Sequence, residues 1–161
     1  MSLKVLSLAI ASLVASTISV LAQDHPVSIV AAENVYGDVA EQLGGAHVRV
    51  TSLISNPGQD PHLFEASPST VRALAEAQIV IGNGADYDPW LDRILKASPR
   101  AGRIEINVAA LLGRKPGDNP HLWYDPAAIP ALSNALASAL QKTDSTHSGE
   151  YRAGLARVLA L

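Results

Sequence analysis

Cysteine is absent from the 161 residues. That excludes disulfide cross-links, thiolate nucleophiles and cysteine-based zinc sites, and leaves no thiol to carry lipid at a mature N-terminus. Aromatic residues are few, with two Trp, four Tyr and one Phe. Positive charge is not in excess either: 12 Lys and Arg stand against 15 Asp and Glu, for a formal charge of −3. A basic face for nucleic acid is therefore missing. No P-loop, no Gly-x-Gly-x-x-Gly after a strand and no Gly-x-Ser-x-Gly occurs, which removes the phosphate-cradling and serine-hydrolase patterns. What remains is a globular composition, 48% hydrophobic and 17% charged, on a length suited to one domain.

The first residues depart from that composition. Lys4 gives a short positive start, Val5 to Leu21 are apolar or small, and Val20-Leu21-Ala22 carries the small-residue pattern read by signal peptidase. The expectation is export with cleavage after Ala22, leaving Gln23 first in a periplasmic protein. A membrane anchor is the competing reading, but the Ser, Thr and Ala content and the polar Gln23-Asp24-His25-Pro26 that follows favour cleavage.

From Val27 onward, strand and helix patterns alternate. Val27 to Ala32 is a short apolar run suited to a strand buried on both faces. Asn34 is the expected N-cap of a helix that Gly44-Gly45 ends. His47 to Leu53 alternates and is rich in β-branched residues, which predicts a second strand. Gln78 to Gly82 and Arg103 to Asn107 give the third and fourth. Ser67-Pro68, Asp88-Pro89 and Asp125-Pro126 each predict a helix start with proline in the first turn. Asp88 and Asp125 are expected as N-caps, and Trp90, Trp123 and Tyr124 as core or pocket-wall residues. A last helical stretch covers Gly149 to Leu161, with Tyr151, Leu155, Val158 and Leu159 on an apolar face. This order predicts an α/β fold with a doubly wound, mainly parallel four-stranded sheet.

Chemistry then falls to histidine. His62 lies in Asp60-Pro61-His62, in the loop after the second strand, and His121 lies in Asn119-Pro120-His121, before a helix. Ligands of open α/β sheets bind outside the carboxyl ends of the strands, so both loops belong on that edge. A preceding proline restricts the backbone, and neutral imidazole suits Zn²⁺ and is acceptable to Mn²⁺. Spacing alone leaves a solvated role open for each. His25, His47 and His147 are read as terminal, surface and loop residues outside the site. Glu33, Asp60 and Glu65 could orient an imidazole N–H or be surface charges.

These residues, taken together, resemble the zinc/manganese solute-binding proteins of ABC importers, the cluster A-I family. The carriers are Ala32-Glu33-Asn34-Val35-Tyr36-Gly37-Asp38, Gly44-Gly45, Asp60-Pro61-His62 with Glu65 and Ser67-Pro68, Asn83-Gly84 with Pro89-Trp90-Leu91, and Asn119-Pro120-His121-Leu122-Trp123-Tyr124-Asp125-Pro126. The resemblance spans about Val27 to Leu161. It implies two α/β lobes joined by one long rigid helix, with metal in the cleft between them. His62 and His121 match the two metal ligands of the N-terminal lobe. The remaining family ligands, a His or Glu and an Asp or Glu, belong to a C-terminal lobe absent from these residues. The His- and acid-rich loop of many zinc members is also missing, and Arg114 to Asp118 stands in its place.

The expected division is therefore a signal peptide over 1–22, an N-terminal α/β metal-binding lobe over 23–145, and the start of the connecting helix over 146–161. The expected function is capture of Zn²⁺ or Mn²⁺ as cargo by a monomer and delivery to the membrane permease of an ABC importer, without enzymatic chemistry. A metal-dependent hydrolase and an adhesion or interaction module are the alternatives.

Overall fold

The computed structural model describes residues 25–56 and 58–161, with His62 described by its backbone alone. The expected signal peptide lies outside the described residues. Strand β1 (Val27–Glu33) leads without a loop into helix α1 (Asn34–Gly44), followed by β2 (Val48–Ile54), α2 (Pro68–Glu76), β3 (Ile79–Gly82), α3 (Pro89–Ala97) and β4 (Ile104–Asn107). A short α4 (Val108–Leu111), then α5 (Ala128–Thr143) and α6 (Ser148–Val158), complete the order. Every strand pairing is parallel, in the order β2-β1-β3-β4. Among the described residues no helix is long and apolar enough to cross a membrane.

Side-chain alternation along β1 divides the interior into two cores. Val27, Ile29 and Ala31 pack with Ile79, Ile81 and the inner faces of α1, α5 and α6, where Tyr36, Leu43, Leu132, Leu136, Leu140 and Tyr151 are buried. Val30, Ala32 and Val80 face the other way, onto Leu74 of α2 and Trp90, Leu91 and Leu95 of α3. Helices thus cover both faces of the sheet. The chain moves outward from β1 to β2, then reverses across β1 to reach β3. The reversal opens a crevice between the carboxyl ends of β1 and β3, where such sheets place ligands.

Local chemistry shifts several of the expected boundaries. Because β1 runs straight into α1, the extended residue before the helix is Glu33, and Asn34 is already its first helical residue. Asp88 does precede α3, but its carboxylate makes no cap bond there. It accepts instead from the backbone N–H groups of Asn83 and Gly84, at 2.8 Å each. Asp125 lies three residues before α5 and accepts from the Ala127 N–H at 3.0 Å, because Leu122–Tyr124 forms a tight turn of its own first. Trp90 is buried as expected, whereas Tyr124 is 80% exposed. Helix α6 packs across α1 and α5.

The α1–α6 contact depends on Gly154. A β-carbon at this position would collide with the Leu43 carbonyl of α1, a backbone atom that cannot rotate away. Gly149, in the same helix, has open space around it. Gly154→Ala should therefore lower the urea midpoint by an amount equivalent to roughly 1–3 kcal/mol. Gly149→Ala should leave it unchanged or raise it, since Ala is the better helix former. Equal midpoints for the two variants would contradict this packing.

Candidate functional site

At the carboxyl edge of the sheet lies a cleft of about 220 Å³. Its walls include Glu33 from the end of β1, Ile54 and Ser55 from the end of β2, and Pro61, Tyr87 and Trp123 from three loops. The two Pro-His segments expected to carry chemistry border this cleft from different sides: Pro61 lines it directly, and Trp123 follows His121 by two residues.

The His121 segment is held from below by Asn83, which is fully buried at the end of β3. The Asn83 Nδ2 group donates to the Pro120 carbonyl at 2.9 Å and to the Gly84 carbonyl at 2.9 Å. Its Oδ1 accepts from the Tyr36 hydroxyl of α1 at 2.5 Å. Asn83 thereby ties the peptide before His121 to both β3 and α1. Leu122, buried on the other side of the histidine, anchors the segment in the core.

The imidazole itself is oriented by Asn119. The Asn119 Oδ1 accepts from the His121 backbone N–H at 3.0 Å and lies 2.9 Å from the ring Nδ1. A backbone N–H can only donate, so the atom it meets is the amide oxygen, and Nδ1 must carry the proton it shares with that oxygen. Nε2 is left with a lone pair, as a metal ligand requires. Tyr87 and Trp123 pack edge-on against the ring, with centroids 5.8 and 5.5 Å away, and against each other at 5.1 Å. Orientation thus comes from an amide neighbour in the same tripeptide; for His121, none of the carboxylates considered from the sequence fills that role.

His62 occupies a tight turn, Pro61–Leu63, directly after the β2 loop. The Leu63 N–H donates to the Asp60 carbonyl at 3.2 Å, and Phe64 packs on Trp90 of α3 with ring centroids 4.3 Å apart. The turn is thus tied at its downstream end to the α3 side of the sheet. The other histidines lie elsewhere. His25 is exposed. His47, expected as a surface residue, stacks on His147 at 3.8 Å, and His147 Nδ1 lies 2.7 Å from Asp144 Oδ2. Among the described side chains, which exclude that of His62, no three His, Asp or Glu residues gather as a metal site.

The loop after β3 is strained toward the cleft. Gly84, Ala85 and Asp86 all take positive φ, at 76°, 49° and 62°. At Gly84 a β-carbon would strike the Asn107 side chain, while Ala85 and Asp86 accept a conformation costly to L-residues. The two N–H bonds to Asp88 and the bond from Tyr87 N–H to the Gly84 carbonyl, at 3.0 Å, hold this loop and set the Tyr87 ring beside His121. Burial pushes the Asp88 carboxyl up, partly offset by the Gly84 and Asn83 N–H groups. Burial also raises the Tyr87 and Tyr36 hydroxyls, reinforced by the charge of Glu33. Glu33 is affected as well. It is 4% exposed, and neither carboxyl oxygen has a hydrogen-bond partner. Burial and then the Asp88 charge push it well above its ordinary value, with only its own peptide N–H in opposition.

A doubly wound α/β lobe with an open cleft at its strand ends, flanked by two Pro-His segments, defines a ligand-binding class of fold. Residues 29–160 match the family profile of ZnuA, the periplasmic zinc-uptake complex component A, and the chain belongs to that family. Among individual relatives, the manganese-binding lipoprotein MntA of Bacillus subtilis is 28% identical over 137 residues, covering 80% of this chain and 44% of its own length. A putative metal-binding protein of Thermotoga maritima is 35% identical over 99 residues, covering 62% of this chain and 35% of its own length. Among solved structures, the periplasmic zinc binding protein TroA from Treponema pallidum superposes with a TM-score of 0.71 at 19% identity, covering 82% of this chain and 50% of that one. A Cd-bound periplasmic metal binding protein from Candidatus Liberibacter asiaticus gives 0.69 at 18%, covering 81% of this chain and 50% of that one. The chain spans less than half the length of these curated relatives.

The state of Glu33 has a measurable consequence. Its folded-state pKa lies above 4.5, so the folded chain binds more protons than the unfolded chain between 4.5 and that raised value. Stability therefore falls as pH rises through this window. At pH 8 the metal-free Glu33→Gln variant should show a higher urea midpoint than the parent, and the gain should shrink as the pH approaches 4.5. A pH-independent difference would show that Glu33 carries no unfavourable charge in the folded chain.

Proposed function

We propose that this chain binds a divalent transition metal, Zn²⁺ or Mn²⁺, as cargo through His62 and His121, and serves the membrane permease of an ABC importer. The observation that carries the reading is the contact of His121 Nδ1 with the Asn119 amide oxygen, which leaves Nε2 as the free nitrogen of the neutral ring. Asn119 holds the Nδ1 proton, Asn83 holds the preceding peptide, and Nε2 keeps its lone pair without further ordering. Preorganisation of this kind lowers the entropy lost on binding. The relatives support the class of cargo, since their names include both manganese-binding and zinc-binding proteins. Both metals accept imidazole nitrogen, so this lobe's two histidines suit either.

In this reading residues 1–22 are a cleaved signal peptide, 23–145 the metal-binding lobe and 146–161 the start of the inter-lobe helix of a monomeric periplasmic protein. The family description is of an uptake-complex component, and several relatives are named as substrate-binding lipoproteins of manganese ABC transporters. The proposed cycle has no covalent step: binding and release are ligand exchange at the metal. Two imidazoles leave the other coordination positions to water or to further groups. Affinity is therefore expected below that of a complete four-ligand site.

Competitive Zn²⁺ and Mn²⁺ titration of the chain beside a His62→Ala, His121→Ala double variant tests the assignment. Binding should disappear in the double variant. Asn119→Ala, which frees the imidazole without removing a ligand, should weaken binding by about 10- to 100-fold. A double variant that binds like the parent would remove both histidines from the site.

A further inference from the structure

Burying a carboxyl group without a partner is costly, and folded proteins rarely tolerate it outside functional sites. Glu33 is such a group, with both oxygens unpartnered. A satisfied arrangement is within easy reach in the chain. Glu33 directly precedes α1, where the first-turn N–H groups can donate to a capping carboxylate and the helix dipole favours negative charge. The side chain makes no such bond. It lies instead on the wall of the cleft that Pro61 and Trp123 also line. Its strand, β1, is hydrogen-bonded on one side to β2, whose loop leads to His62, and on the other to β3, whose end holds the His121 segment through Asn83. Glu33 therefore stands between the two histidine-bearing segments, at the point where the sheet reverses direction.

We propose that Glu33 is a third metal ligand from this lobe, giving the cleft a carboxylate oxygen beside the two imidazole nitrogens. This rests on the metal-binding reading above. A cation entering the cleft supplies the partner that the buried carboxyl lacks, and the carboxylate then offsets part of the charge of a metal held by neutral imidazoles. One oxygen with two nitrogens also moves the donor set toward the harder ligands that Mn²⁺ prefers, so losing the carboxylate should cost Mn²⁺ more than Zn²⁺.

The test uses the whole chain and three metals. Glu33→Gln keeps the shape of the side chain and removes its charge, and Mn²⁺ and Zn²⁺ titrations are run on it beside the parent and the His62→Ala, His121→Ala variant. The visible absorption of bound Co²⁺ reports the donor set directly. The expected result is about a 10-fold or greater loss of Mn²⁺ affinity in Glu33→Gln, a smaller loss for Zn²⁺, and an altered Co²⁺ spectrum. If Glu33→Gln binds like the parent while the double histidine variant does not, the third ligand is overturned and the two-histidine reading stands. Weakened binding with an unchanged Co²⁺ spectrum would also overturn it, because the carboxyl would then act only through the surrounding structure. A parent chain that binds none of the three metals overturns both readings.

Discussion

The site depends on one buried amide. Asn83 is sealed from solvent at the end of β3, and its side chain has both an acceptor and two donors to satisfy. All are used: Oδ1 by the Tyr36 hydroxyl, Nδ2 by the carbonyls of Gly84 and Pro120. Its backbone N–H is taken by Asp88. A fully satisfied network in a low-dielectric interior is both strong and specific in geometry. Without this amide, the Tyr36 hydroxyl and the Pro120 carbonyl would lose their partner, at about 1–3 kcal/mol for each group left buried and unsatisfied. The same amide joins three parts of the molecule: helix α1, the strained loop after β3, and the segment that presents His121.

The sheet's topology explains why such a network lies here. Parallel strands end together at one edge, and the reversal between β1 and β3 leaves a gap there that no helix fills. Loops meeting in the gap bring backbone polar groups that the sheet does not pair, and side chains must satisfy them. Asp88 satisfies two N–H groups, Asn83 two carbonyls, and Asn119 the N–H and the ring of His121. Glu33 alone of these polar side chains faces the gap without a partner.

Much of the fold was legible in the sequence because periodicity speaks to burial on one face or two. The apolar run after Pro26 and the Ile79-Val80-Ile81 triplet became the two central strands. Glycine and proline placed the helix boundaries to within a few residues. The misreadings come from contacts that no local pattern encodes. Asp88 and Asp125 have the residue type and position of caps, yet Asp88 bonds back to the N–H groups of Asn83 and Gly84, and Asp125 holds the Ala127 N–H of its own turn and the Arg114 side chain. Tyr124 has the composition of a core residue but ends a tight turn, with its ring in solvent. The two histidine segments stood out through their shared Pro-His context. The partners that orient one of them did not, although Asn83 and Asn119 are in plain sight, because asparagine in a loop is common and only a spatial neighbour makes it decisive.

Helix α1 links this local chemistry to the packing of the whole lobe. Gly37 lets α1 lie close to β2, where a β-carbon would run into the Ser52 hydroxyl, and Gly154 lets α6 lie close to α1 from the other side. Tyr36, one residue before Gly37, is fully buried and reaches from this helix to Asn83. The position of its hydroxyl therefore follows from how closely the two glycines allow their neighbours to approach. Packed interiors are dense and transmit small displacements. A shift of α1 would move Tyr36, release Asn83 and loosen the Pro120 peptide, with no residue near the cleft altered. The accuracy with which His121 is presented is in that sense a property of helix packing on the far side of the sheet edge, and the hydrogen bonds of the cleft complete what the glycines begin.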